Sequence, residues 1–420
     1  MLRHFLFLIP ALLLHTSAYS QDSTYVRKTL SLLCSPEYAG RGYVKKGAER
    51  TATFLSTEMQ RLGIRPLVKN YEQKYYLPVN TFPYQTEVKI DNQTLIPGKD
   101  YLIGPASPSC KGNFMICRID SGKVKNKKDL AGYFNKDLKK SFVVIDTSGI
   151  RNNPLKELLG QIVEWNLLNA KGIITVSSKE LSWSQSPVLN NFTSILVKKE
   201  ILPDSAKTAE INIKSKYLKH CKASNIAGYI EGQTDSCLVF TAHYDHLGMM
   251  GDVYFPGAND NAFSVAMILD MARHYQNAAK PKYSLVFLLF SGEEDGLLGS
   301  DYFSKHPLFP LEKIKFLINL DVDATGEDGI TVVNATVHKE QYNRLTEINN
   351  RNQYMKNVAS RGPARNSDHY PFYAKNVPCF FIYARGKEAH YHNPGDTPEN
   401  LTLNQYRHFF HLITDFTDSF

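Results

Sequence analysis

Five short stretches in the second half of the chain put histidines and carboxylates where they could share metal ions. They are His243-Tyr244-Asp245-His246, Gly257-Ala258-Asn259-Asp260-Asn261, Ser291-Gly292-Glu293-Glu294-Asp295, Asp321-Val322-Asp323 and His390-Tyr391-His392. Imidazole and carboxylate donors without a thiolate suit a catalytic zinc, or manganese or cobalt, with open coordination positions. The six cysteines (Cys34, Cys110, Cys117, Cys221, Cys237 and Cys379) form no Cys-x-x-Cys, which argues against a thiolate zinc knuckle. A single catalytic zinc takes three protein ligands and a water. The five candidates His243, Asp260, Glu294, Asp321 and His392 instead fit two metals about 3.5–4 Å apart that share a carboxylate. Such a pair can bind hydroxide, polarise a carbonyl and stabilise a tetrahedral oxyanion, which together are what amide hydrolysis requires. Asp323, on the same strand face as Asp321, is a rival ligand. His246 and His390 flank the candidates and are expected at the rim or in structural roles.

Particular elements must hold these stretches together. From Asn225 onward, strands and helices alternate. Strands are expected at Asn225–Ile230, Ser236–Ala242, Tyr283–Ser291, Ile314–Leu320, Gly329–Val333 and Pro378–Tyr383. Helices are expected at Asn261–Asn277, Gly296–Lys305, Lys339–Asn352, Ser367–Lys375 and Leu403–Phe420. The run Ser284-Leu285-Val286-Phe287-Leu288-Leu289-Phe290 is apolar on both faces, as in a central strand covered on each side by helices. The predicted architecture is a three-layer α/β/α sandwich with a mostly parallel central sheet. Sites in such sheets form at the carboxyl ends of the strands, where the candidates sit. Residues 97–215 have a different texture, with strand-like runs such as Phe142-Val143-Val144-Ile145 and no catalytic cluster. They read as an inserted α/β or β-rich module. The chain thus divides into 1–20, a leader; 21–96, a helical prelude and first part of the catalytic domain; 97–215, the insert; and 216–420, the catalytic domain.

The leader has Arg3 and His4, an apolar run from Phe5 to Leu14 and the small-residue pattern Ala18-x-Ser20. That is the pattern of a cleaved signal peptide, so the chain is expected to be exported, to the periplasm or the extracellular space, with no stable membrane insertion after cleavage. Net charge is +8, but the basic residues are scattered apart from Lys123, Lys125, Lys127, Lys128, Lys136, Lys139 and Lys140. A nucleic-acid groove would want aromatic residues or arginines interleaved through such a stretch; this one reads as a solvated lysine face, and no nucleic-acid partner is expected. Oligomeric state is not legible here.

The ordered series His-x-Asp, Gly-Ala-Asn-Asp-Asn-Ala, Ser-Gly-Glu-Glu-x-Gly-Leu-x-Gly-Ser, Asn-Leu-Asp and Tyr-His-x-x-x-Asp-Thr resembles the metallopeptidase family M28 over about Asn225 to Tyr406. This is a family of co-catalytic zinc aminopeptidases that also holds glutamate carboxypeptidases and glutaminyl cyclases. The resemblance implies an aminopeptidase acting on peptides with two zinc ions. Asp260 would bridge the ions, His243 and Asp321 would complete one site, and Glu294 and His392 the other. Glu293 would be the general base. Asn-Leu-Asp selects Asp321 over Asp323. Asp245, two residues beyond His243, is suited to accept the other ring N–H of that histidine. Tyr391 resembles the tyrosine that some members aim at the oxyanion; packing alone is the alternative. Asp368 is expected to cap a helix, His369 to have a possible pocket role, and Asp396 to fix a loop. Phe263-Ser264, in place of a small Ser-Gly pair, and Asp323, in place of an apolar or small residue, depart from the family pattern. The insert lies where relatives carry a protease-associated domain. Two other functions fit the resemblance: a single-zinc glutaminyl cyclase using only Asp260, Glu294 and His392, or a carboxypeptidase. A degenerate binding module would have lost a ligand or the base.

Overall fold

The structure is a computed structural model that describes residues 23–119, 124, 126–148, 150, 152–387 and 390–420. The leader at 1–20 lies outside the described residues, as do Lys123 and Lys125. Among the described residues, no helix is long and apolar enough to cross a membrane.

The main sheet has nine strands: β1 (Arg65–Pro66), β2 (Glu72–Thr81), β3 (Lys216–Ile230), β4 (Thr234–His243), β5 (Tyr283–Phe290), β6 (Ile314–Leu320), β7 (Gly329–Val333), β8 (Val358–Ser360) and β9 (Cys379–Arg385). Their order is β1-β3-β5-β4-β6-β9-β7-β8, with β2 also on β3. The central run β5-β4-β6-β9 is parallel, while β3 joins β5 and β7 joins β9 antiparallel. Alternation along the central strands sends side chains to two different cores. Leu285, Phe287 and Leu289 of β5 and Leu238 and Phe240 of β4 face a core shared with helices α1 (Ser23–Leu33), α2 (Gly47–Arg61), α3 (Phe263–Gln276), α5 (Lys339–Asn352) and α6 (Tyr406–Asp418). Val286, Leu288, Phe290 and Val239 face the opposite core, with Phe303 of α4 (Leu298–Lys305) and Phe372. Each such buried Leu or Phe contributes about 1.5–3 kcal/mol. The predicted α/β/α class is the one found.

A second sheet of eight strands runs, in spatial order, Gln93–Thr94, Glu87–Ile90, Thr208–Ile213, Cys110–Ile119, Ser141–Ile145, Gly172–Ser177, Thr193–Lys198 and Tyr101–Ile103. The helix Asn153–Trp165, capped by the Asn152 side chain, packs against it. This sheet begins before the expected boundary at 97. Val88 and Ile90 are buried in its core, and their strand pairs with Ala209–Asn212. Three helices are shorter than their pattern. The expected Ser367–Lys375 helix is only Tyr370–Tyr373, because Ser367 and Asp368 are buried at the site. The last helix starts at Tyr406. The helix after Glu294 starts at Leu298, since Gly296 and Leu297 adopt left-handed φ values of 103° and 67°.

Candidate metal centre

All five candidate ligands meet at the carboxyl edge of the main sheet. His243 is the last residue of β4, and Asp321 directly follows β6. The His243 Nε2 atom lies 3.1 Å from Asp260 Oδ1 and 3.1 Å from Asp321 Oδ1. On the other side, His392 Nε2 lies 3.0 Å from Asp260 Oδ2 and 3.2 Å from Glu294 Oε2. Asp260 therefore stands between two histidines and gives one carboxylate oxygen to each. Donor atoms of His243, Asp260 and Asp321 fall within 4.8 Å of one another, as do those of His243, Glu293 and Glu294, and those of His246, Asp260 and Glu294.

Each of these groups is braced. The Asp260 loop is held by Asp396, whose two oxygens accept from the main-chain N–H groups of Asn259 at 2.9 Å and Asp260 at 3.2 Å. Asp321 Oδ2 accepts from Ser367 Oγ at 2.6 Å. Ser367 in turn accepts from Asn319, whose amide oxygen accepts from Thr241. Val322, a β-branched residue with a left-handed φ of 60°, turns the chain just beyond Asp321, a strained conformation typical of functional sites.

Arg41 is fully buried, and its guanidinium donates to the carbonyls of Tyr244, Pro256, Gly257 and Asp260. It ties the end of β4 to the Asp260 loop. Its neighbours Gly40 and Gly42 let that chain come close: a Cβ on Gly40 would sit 2.4 Å from the Gly248 carbonyl oxygen. The paired glycines around an arginine are the sequence signal that could have found it.

Several expected roles take a different form. Asp245 does orient His243, but through its main chain: His243 Nδ1 donates to the Asp245 carbonyl oxygen at 3.0 Å, while the carboxylate is 3.9 Å away. The Asp245 carboxylate instead accepts from the Glu293 N–H at 3.2 Å and so sets the loop that carries Glu293. His246 is fully buried rather than at the rim, and its Nδ1 lies 2.7 Å from Glu294 Oε1. Asp368 caps no helix. It is fully buried, and burial raises its carboxyl to about 7 despite His243 nearby. Asp323 faces Ser264, whose hydroxyl donates to it at 3.1 Å. The two departures from the family pattern are thus partners of each other. Tyr391 is 50% exposed, and its ring lies flat on the His392 imidazole with centroids 3.9 Å apart. His390 is 3.4 Å from Glu180.

The electrostatics are those of a site built around cations. Burial pushes Asp260 up, but hydrogen bonds from His243 and His392 hold it well below the usual carboxylate range. Burial likewise pushes Glu294 up, and His392 and His246 outweigh it, bringing Glu294 to about 2. Glu293 is raised well above its ordinary value, by burial first and then by the neighbouring carboxylates, against His243. Among the described residues, the ion pairs of Asp260, Asp321 and Glu294 run only to histidines. Buried carboxylates without a lysine or arginine partner, facing imidazole nitrogens, are a donor set that fits divalent metal.

Comparison with known proteins agrees with this geometry. Residues 225–417 match the model of peptidase family M28, starting at the Asn225 from which the resemblance was read. Aminopeptidase YwaD of Bacillus subtilis is 26% identical over 261 residues, covering 58% of this chain and 56% of that protein. The glutaminyl-peptide cyclotransferase of Drosophila melanogaster is 28% identical over 221 residues, covering 43% of this chain and 62% of that protein. The chain thus spans well under two thirds of these curated relatives. Among solved structures, BSAP, a zinc aminopeptidase from Bacillus subtilis, superposes with a TM-score of 0.69 at 18% identity over 95% of this chain and 94% of that one. A peptidase M28 precursor from Shewanella amazonensis gives 0.65 at 17% identity, covering 95% and 97%. These two share the fold.

Proposed function

We propose that the protein is a zinc aminopeptidase that removes N-terminal residues from peptides, from the premise that residues 225–417 match the model of peptidase family M28. The observation that carries the reading is Asp260, with one oxygen 3.1 Å from His243 and the other 3.0 Å from His392. A carboxylate placed this way could serve two metal positions at once. In this reading His243 and Asp321 would hold one zinc, Glu294 and His392 would hold the other, and Asp260 would be shared. Bound there, the pair would supply Lewis acidity toward the scissile carbonyl and make water a nucleophile near neutral pH.

The protein's own groups do the rest. Glu293 takes a proton from the attacking water and gives it to the departing amine. Asp245 keeps the Glu293 loop in place through the main-chain N–H. Tyr391, half-exposed beside His392, is a phenol that keeps its proton near neutral pH, and the surrounding carboxylates favour that form, so its hydroxyl can donate to the developing oxyanion.

A cyclase would need only Asp260, Glu294 and His392. The hydrolase is favoured because His243 lies as close to Asp260, at 3.1 Å, as His392 does at 3.0 Å, and Asp321 stands 3.1 Å from His243 on that same side. The deciding experiment combines metal analysis with a screen of aminoacyl-amides and N-terminal glutamine peptides on the same sample. Two zinc ions per chain with release of N-terminal residues is the expected result. One zinc with cyclisation of glutamine would overturn the reading in favour of the cyclase, and turnover that survives exhaustive chelation would remove metal from the mechanism.

A further inference from the structure

We propose that the inserted module is part of the metal centre: its segment 181–185 is a positioning strap for the Glu294/His392 half and sets the affinity of that half for its ion. The inference rests on the two-ion reading above.

The strap meets His392 through main-chain atoms. The Trp183 N–H donates to the His392 carbonyl oxygen at 2.9 Å, and the Trp183 carbonyl accepts from His392 Nδ1 at 2.8 Å. A carbonyl can only accept, so this contact fixes a proton on Nδ1 and turns Nε2, the atom a metal would take, toward Asp260 and Glu294. His392 has a left-handed φ of 56°, a costly conformation for a residue with a Cβ, and the paired main-chain bonds stabilise it.

Two more contacts widen the strap. Asn393 Nδ2 donates to the Leu181 carbonyl at 2.9 Å, and Gln185 Nε2 donates to the His246 carbonyl at 2.6 Å. His246 is the residue whose ring lies 2.7 Å from Glu294. Both protein ligands special to this half are therefore reached from the module, His392 directly and Glu294 through His246. The strap itself is anchored firmly. The Trp183 ring is buried, stacks on Phe255 at 4.8 Å and donates from Nε1 to the Ile103 carbonyl at 2.7 Å.

The other half is built differently. His243 is oriented by Asp245 in its own loop, and Asp321 by Ser367, Asn319 and Thr241. Every one of these lies within 225–417. Among the described residues, no hydrogen bond from the module reaches His243 or Asp321 directly.

The test is stepwise zinc binding to the metal-free full chain by calorimetry, with Co(II) absorption bands as a second readout of each site. Wild type should bind in two steps. Trp183→Ala keeps the peptide bonds to His392 but frees the strap from its anchor on Phe255 and Ile103, and should weaken one step by about 10-fold, the low end of the effect of disturbing a group that orients a ligand. The other step should stay within about two-fold, and only one site's Co(II) bands should change. Trp183→Phe keeps the ring against Phe255 and should restore the weakened step. Should Trp183→Ala fail to fold, the double variant Gln185→Ala/Asn393→Ala, which removes only two side-chain donors, should weaken the same step by a smaller factor. Equal weakening of both steps, or of neither, overturns the strap. A single step in wild type overturns the two-ion reading instead.

Discussion

Both sheets carry a run of four parallel strands, yet among the described residues only the main sheet gathers histidines and acids at its carboxyl edge. In the main sheet, β4, β5 and β6 lead into His243, Glu293 and Glu294, and Asp321. In the module, the strand Ser141–Ile145 leads into Asp146, and Thr193–Lys198 into Lys199. Those two pair with each other at 3.0 Å, and Asp146 also accepts from the Ser148 N–H at 2.8 Å. The module's acid is matched by a lysine. The acids of the main sheet have only histidines, and the balance must come from elsewhere. Strand topology nominates an edge for function, and unmatched buried carboxylates decide whether the nomination is taken up.

The largest effect should follow from removing the shared carboxylate. Asp260→Ala should lose both metals and all turnover. A variant that still holds two ions by elemental analysis would show that Asp260 is no bridge, and would erase the difference between the edges. Next comes the proton shuttle. Glu293→Gln should keep full metal content while kcat falls by about 10²–10⁴, the range for general acid–base catalysis; near-normal turnover would remove Glu293 as base. A smaller loss is expected at the brace behind Asp321. Ser367→Ala deletes the 2.6 Å bond to Asp321 Oδ2 and should weaken metal binding by about 10-fold or more. Unchanged affinity in a zinc titration would mean that the Thr241–Asn319–Ser367 chain only packs.

Most of the main sheet and its site was legible because the signals were local in sequence. The unbroken apolar run in β5 named a doubly covered strand, and acids following strand ends named the edge. What stayed hidden depends on contacts that residue types do not encode. Trp183 meets His392 through its peptide group, which every residue possesses, so no pattern could announce it. Asp245 was expected to meet the His243 ring, and the atom that does so is its main-chain carbonyl. His246 looked like a flanking histidine because its partner Glu294 is 48 positions away. Ser264 and Asp323 looked like two separate departures until the fold brought them within 3.1 Å. The Ser367–Lys375 helix failed because side chains that could cap or continue it are spent on the site.

His369 offers a pH test at the boundary of the metal centre. It is buried, with its ring 5.3 Å from Phe381, and burial lowers its imidazole to about 4. The folded chain therefore keeps His369 neutral down to about 4, while the unfolded chain protonates it near 6.5. Between those values the unfolded state binds more protons, so the contribution of His369 is fully present above about 6.5 and lost as pH falls toward 4. His369→Phe should abolish this part. In denaturant unfolding from pH 7 to 4.5, wild type should lose up to about 1.4 kcal/mol per pH unit more than the variant. Parallel curves would mean that His369 is already charged in the folded chain.

The smallest effect is expected at the module's edge, and it completes the contrast. The Lys199 side chain is 52% exposed, so its pairing with Asp146 occurs largely in water and is screened by salt. Lys199→Ala should change unfolding free energy by no more than about 1 kcal/mol and leave metal content and turnover as they are. Asp146 would then be an acid without a lysine, as the main-sheet acids are, but alone and able to take water. If that single change created a metal site, an unmatched carboxylate at a strand end would be sufficient. If it did not, as expected, the main edge owes its chemistry to the convergence of several such groups around Asp260, out of the reach of solvent.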